Sequence, residues 1–196
     1  MIGIRRAAPP DAFAIARVHV ETWRATYPTL LPHDYLAKRL SVDTRAIYWQ
    51  RTLQADQANE AVFVAEEAGE VIGFASIGRA RKAPRDTVDA ARPSRHWGEV
   101  FTLYVLPDHQ ERGAGRMLLA NGFAELLERG FDAALLWVVA GNPSRFFYEA
   151  MGGRAAGSDV EKFAGASIEE ICYAWPELAA AMTRLAAQTH RRRAPS

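Results

Sequence analysis

The stretch QERGAGRMLL, Gln110 to Leu119, sets two glycines where a strand gives way to an apolar helix. The first N–H groups of a helix have no acceptor within it and lie at the positive end of its dipole. Gly113 and Gly115 remove side chains that would hold an anion away from those groups. The chemistry on offer is the binding of a phosphate. Two common phosphate loops do not fit. A P-loop needs Gly-Lys-Ser/Thr, and Gly115 is followed by Arg116 and Met117. The dinucleotide fingerprint needs a third glycine at position 118, which is Leu118. A loop with two flexible residues is the plain alternative.

The elements that must hold this loop can be read from periodicity and punctuation. Ile2–Arg6 alternates as a first strand, and Asp11 to Trp23 has helical spacing behind Pro9-Pro10. A loop runs into a short helix near Tyr35, and Ser41 is placed to cap a helix over Thr44 to Ala55. Residues 61–78 read as a hairpin turning at Gly69. Arg79 to His96 is a polar, basic loop, and Gly98 to Val105 is a strand. Ala114 to Arg129 is a helix stopped by Gly130. Ala133–Val139 is an apolar run expected of a strand buried on both faces. Asn142-Pro143 starts a helix that Gly152-Gly153 ends. Strands near Asp159–Phe163 and Ile168–Trp175 follow, and Pro176 opens a last helix before a basic tail. The expected fold is α/β in the α+β sense: a mixed, mostly antiparallel sheet of about six or seven strands flanked by helices. The expected division is one domain over residues 1–176 and a C-terminal helix and tail over 177–196.

LYVLPDHQERGAG, followed later by NPSRFFYEAMGG, resembles the GNAT N-acetyltransferase superfamily. The first block is similar to that family's Gln/Arg-x-x-Gly-x-Gly/Ala acetyl-CoA loop, the second to its Asn-x-x-x-x-x-Tyr-Glu-x-x-Gly segment. The resemblance runs from about Ile2 to Trp175. It implies acetyl-CoA as co-substrate, with its pyrophosphate on the loop of Gln110, Glu111, Arg112, Gly113, Ala114, Gly115 and Arg116. It implies a pantetheine arm along the backbone of Leu103, Tyr104 and Val105, in a gap beside Ala133–Val139. Asn142 and Arg145 complete the implied cofactor contacts. The Leu103 N–H is the implied donor to the thioester carbonyl.

Acetyl transfer to an amine needs a base, because an ammonium has a pKa of about 10.4. It also needs a donor for the leaving sulfur. The resemblance assigns the second task to Tyr148; the alternative is a core aromatic beside Phe146 and Phe147. Glu99 is the candidate base, or else a solvated charge at a strand end. Strict alternation puts Glu99 on one face with Phe101, Leu103 and Val105. The implied acceptor site is walled by Trp23, Tyr27, Trp97 and Phe101, with Tyr35 and His96 nearby. These rings are candidates for holding an amine by cation–π contact.

Composition bounds the rest. Of 196 residues, 49% are apolar and 24% charged, with formal net charge +1. This gives no global attraction for nucleic acid, and no apolar run is long enough for a bilayer. Cys172 is the single cysteine, so no disulfide within the chain and no metal site of several cysteines is expected. A cytoplasmic N-acetyltransferase acting on a small-molecule primary amine in a ternary complex is the expected function, with no metal. A catalytically silent acyl-CoA-binding module, a protein or peptide N-acetyltransferase and a homodimer remain open.

Overall fold

The computed structural model describes residues 1–55, 59–82 and 96–191, with backbone alone at 187–191. Most of the basic stretch between residues 79 and 96, and the tail after Arg191, lie outside the described residues. The elements run β1 (Ile2–Arg6), α1 (Ala12–Thr26), α2 (Val42–Gln54), β2 (Glu60–Glu67), β3 (Glu70–Arg79), β4 (Trp97–Val105), α3 (Ala114–Glu128), β5 (Ala133–Val139), α4 (Arg145–Ala150), β6 (Arg154–Phe163), β7 (Ala166–Trp175) and α5 (Leu178–Arg191).

Local chemistry accounts for several boundaries. The Ser41 hydroxyl accepts from the Thr44 N–H at 3.2 Å, so α2 begins where its cap predicts. β6 starts at Arg154, five residues before the expected Asp159, and holds a register irregularity between Ala155 and Ser158. Asn142 does not cap α4 directly. Its Oδ1 accepts from the Ser144 N–H at 2.9 Å, and the helix starts only at Arg145. The side chain therefore closes a turn one step ahead of the helix.

The seven strands form one sheet in the order β1-β2-β3-β4-β5-β7-β6. Every pairing is antiparallel except β4 with β5. One face packs on α3 and α5 through Val100, Leu118, Phe123, Leu126, Leu178 and Leu185. The other packs on α1 and α2 through Ile15, Val18, Trp49, Leu53 and Phe74. Both helical layers are thus fixed by apolar stripes, and α3 presents its first turn at the edge of β4.

Two irregularities shape the centre. Along β3 and β4, Ser76 pairs with Thr102 but Ile77 pairs with Val100, so Phe101 has no partner and bulges. A bulge bends its strand and adds twist. The β4–β5 ladder holds only Trp97–Ala133, Gly98–Ala134 and Glu99–Leu135. Beyond Glu99 the two strands diverge, while each keeps its outer neighbour to the end.

Candidate active site in the gap between two parallel strands

The divergence opens a cleft of ≈ 740 Å³. Its floor is strand backbone that the ladder no longer uses. Of the predicted residues, Leu103, Tyr104, Val105, Gln110, Glu111, Gly113, Gly115 and Arg116 line it from β4 and the following loop. Asn142, Tyr148, Tyr27 and Phe101 line it as well. The sequence reading missed Thr22, Thr26 and Trp137, which also face it. Trp137 sits in the run expected to be buried on both faces. Leu136 and Val138 reach the cleft from the face that packs on α3, and Trp137 reaches it from the other face, where Leu135 stays buried.

The glycine loop has the geometry of an anion cradle. Glu111 has φ of 59° and Gly113 has φ of 98°, both left-handed. Backbone that alternates hand in this way turns successive N–H groups toward one point. Gly113 stands at the N-terminus of α3, where the Met117 N–H returns to its carbonyl at 3.0 Å. The Gln110 Nε2 donates to the Val105 carbonyl at 3.0 Å, which pins the loop to the end of β4. Arg116 lines the cleft with a buried Nε that has no hydrogen-bond partner, a cationic donor suited to a phosphate oxygen.

Three predicted cofactor contacts do not reach the cleft through their side chains. Arg112 turns away and donates from Nη2 to Glu67 at 2.8 Å, beside a His109–Glu67 contact of 3.2 Å. Its part is to tie the loop to the β2–β3 hairpin. Arg145 lies over the Phe146 ring at 4.5 Å. Ala114 is buried in the core beneath α3.

Tyr148 comes from α4 and packs against Phe147 and Tyr173. The helix is locked in place where the Tyr173 hydroxyl donates to Glu149 at 2.6 Å and the Gly153 N–H returns to the Tyr148 carbonyl at 2.9 Å. Burial pushes the Tyr148 phenol above its ordinary pKa, so it stays protonated.

Glu99 belongs to the last residue pair before the strands part. The bulge at Phe101 overturns the expectation that Glu99 shares a face with Leu103 and Val105. Val100, Leu103 and Val105 contact the α3 side, whereas Glu99 pairs with Gly78 and lies on the face that carries Tyr104. Glu99 is only 7% exposed, and its Oε2 accepts from the Arg81 N–H at 2.8 Å. Burial raises its pKa, and that N–H with the charges of Arg81 and Lys82 partly offsets the rise. Buried Cys172 on β7 lies close enough to feel the Glu99 charge, and burial raises its thiol to about 12.

The expected acceptor wall is differently used. Arg81 covers one face of Phe101, its guanidinium carbon 3.9 Å from the ring centre, and Arg45 lies 5.5 Å over Trp23. Lys82 sits 4.3 Å over Trp137 and pairs with Asp159. The chain's own cations thus occupy ring faces expected for an amine. Trp97 packs beside Leu135 and Cys172, outside the cleft. Tyr35 joins Trp23 in a side cluster with Phe163. Among the described residues no helix is long and apolar enough to cross a membrane.

Comparison with known proteins agrees with this arrangement. The uncharacterized N-acetyltransferase YuaI of Bacillus subtilis is 36% identical over 186 residues, covering 94% of this chain and 99% of that protein. The L-amino acid N-acyltransferase MnaT of Escherichia coli is 31% identical, covering 74% of this chain and 72% of that one. An N-acetyltransferase from Staphylococcus aureus has the same fold at a TM-score of 0.66 and 23% identity, over 91% of this chain and 99% of that structure. The PaiA N-acetyltransferase of Thermoplasma acidophilum, solved with coenzyme A, superposes at a TM-score of 0.56 with 18% identity, over 87% and 98% of the two chains. The sequence profile of the acetyltransferase (GNAT) family matches residues 17–152, and the chain belongs to that family.

Proposed function

We propose that the chain transfers the acetyl group of acetyl-CoA to the primary amine of a small molecule, by direct attack within a ternary complex. The observation that carries this reading is the interrupted β4–β5 ladder. It leaves a cleft with Gly113 and Arg116 at one end and Tyr148 on its wall; Glu99 belongs to the last strand pair before the cleft opens and does not itself line it. The fit to acetyl-CoA rests on the two left-handed loop residues, the unpartnered Arg116 Nε and the free backbone of β4. No metal is invoked.

The amine nitrogen attacks the thioester carbon and its lone pair becomes the C–N bond. The C–S bond then breaks, and its electron pair goes to sulfur. Glu99, set back from the cleft, takes through a water the proton that the amine must lose. Tyr148 donates to the departing sulfur. A thiol with a pKa of about 8.5 is a weaker base than tyrosinate by about 1.5 units, which is about 2 kcal/mol. Burial of Tyr148 widens that gap, so its part is hydrogen-bond stabilisation rather than complete proton transfer. The Leu103 N–H serves the carbonyl oxygen.

An amino-acid-sized amine is the first acceptor to test, since the relative MnaT is named an L-amino acid N-acyltransferase. The experiment is a calorimetric titration with acetyl-CoA, followed by an amine screen that reads free thiol. Saturable binding and thiol release with at least one small amine are expected. Failure of acetyl-CoA to bind would overturn the reading.

A further inference from the structure

Among the described residues, the buried side-chain atoms without a hydrogen-bond partner include Thr22 Oγ1, Arg116 Nε and Trp137 Nε1, and all three residues line the cleft. Arg116 stands in the first turn of α3 beside the glycine loop, where the cofactor's phosphates are expected. Thr22 and Trp137 belong to the opposite side. Trp137 reaches the cleft from the face of β5 that it shares with Leu135, away from α3. On that side α1 spans the parted strands. Its His19 ring meets Tyr104 of β4 at 5.4 Å, and its Trp23 and the following Tyr27 cluster with Val139 of β5. Thr22 sits within that span.

Both groups are left over where a partner is expected. A helical threonine can donate back to the carbonyl four residues earlier, and Thr22, 4% exposed, makes no such bond. An indole N–H can only donate, and burying it without an acceptor is costly. Lys82, which lies over the Trp137 ring, is itself paired with Asp159, so its charge already has a counter-charge. The amine of a substrate cannot serve these donors. As ammonium it has no lone pair, and as free amine it spends its lone pair on the thioester carbon. We infer that Thr22 and Trp137 form a substrate subsite for an oxygen, so that the molecule acetylated carries a carboxylate or carboxamide besides its amine, as an amino acid or its amide does. Trp137 donates from Nε1 and Thr22 from its hydroxyl to that group. They set specificity, because a substrate lacking the oxygen leaves buried donors unpaired. This subsite deepens the proposed acetyl transfer and rests on it.

Matched triples of an amino acid, its carboxamide and the plain amine without either group test it. They are taken across the range of amino-acid side chains, with L-leucine, L-leucinamide and isoamylamine among them. The quantity read is the ratio of kcat/KM for an oxygen-bearing member to that for the plain amine. Comparing this ratio among proteins cancels the differing basicity of the amines. The wild type is expected to favour the oxygen-bearing members by about 10²-fold or more. Trp137→Phe keeps a ring and loses the N–H, and Thr22→Val keeps the shape and loses the hydroxyl. Each is expected to cut the ratio about tenfold or more, with acetyl-CoA affinity retained by calorimetry. Thr22→Ser restores a hydroxyl and is expected to restore the ratio. The Thr22 pair keeps the test decisive if Trp137→Phe fails to fold. A wild type that uses the plain amines as well as the oxygen-bearing ones, or variants with an unchanged ratio, would overturn the inference and leave acetyl transfer standing. A loss of acetyl-CoA affinity in Trp137→Phe would overturn it too, by assigning the N–H to the cofactor. Absence of acetyl-CoA binding by the wild type would remove the proposed function, and this inference with it.

Discussion

The backbone N–H of Arg81 donates to the Glu99 carboxylate at 2.8 Å, tying the candidate base to the residues that leave β3. This contact holds a buried charge that the surroundings otherwise disfavour. Burial makes the folded protein bind the Glu99 proton more tightly than the unfolded chain does. Stability therefore falls as pH rises from the ordinary glutamate value through the higher folded value, and stays lower above it.

Glu99→Gln should separate activity from stability. It removes the ionisation while keeping an acceptor for Arg81. At neutral pH, kcat/KM is expected to fall about 10²-fold, with the loss shrinking at high pH as the amine arrives deprotonated. The melting temperature is expected to rise at neutral pH and to match the wild type below the ordinary glutamate pKa of 4.5. A pH series of rate and of thermal unfolding on both proteins checks this. A lower melting temperature at pH 7 would contradict it.

The two loop glycines should respond differently to alanine. Gly113 has φ of 98°, where any side chain is strained, although an added Cβ has space. Gly113→Ala is expected to destabilise by more than about 1 kcal/mol. At Gly115 an added Cβ would make only ordinary contacts, the nearest 3.4 Å from Phe147. Gly115→Ala is expected to change stability by less than about 0.5 kcal/mol yet weaken acetyl-CoA binding, because the new methyl projects into the cleft. Denaturant unfolding and calorimetry distinguish the two.

Tyr148→Phe keeps the packing on Phe147 and Tyr173 and removes one donor. Turnover is expected to fall by about 10- to 10⁴-fold with acetyl-CoA affinity nearly unchanged. Because burial raises the phenol pKa, Tyr148 should contribute no alkaline limb below its ordinary value of 10.0. Steady-state kinetics over pH with both proteins decides it.

Arg112→Ala tests the reassignment of that side chain from ligand to loop anchor. Its partner Glu67 is 19% exposed and Arg112 itself 49%, so the pair should contribute no more than about 1 kcal/mol. Acetyl-CoA affinity is expected to change little, and its salt dependence to keep the same slope. A clear drop in that slope would return Arg112 to the phosphates.

Much of this site was legible in the chain because it is built from local signals. Gly113 at a helix start, Ser41 as a cap and the order of strands and helices are written in neighbouring residues. The face of Glu99 was not. It depends on Phe101 lacking a partner on β3, and an unpaired residue has no signature in its own strand. The Arg112–Glu67 and Asn142–Tyr27 pairs join residues distant in sequence, so their side-chain directions emerge only on folding. Trp23 and Phe101 are by sequence only candidates for holding an amine, and Arg45 and Arg81 lie over a face of each.

The short β4–β5 ladder gives the sheet four edges rather than two. β1 and β6 form the outer pair, while β4 and β5 beyond Glu99 and Leu135 form an inner pair. An outer edge can be met by any strand of another protein. The inner edges face each other, with the end of α1 on one side and the starts of α3 and α4 on the other. A folded partner cannot reach them. A thin, amide-bearing chain can, and it would mend the sheet from within as a strand without side chains. The fold therefore selects its ligand by cross-section before any side chain takes part.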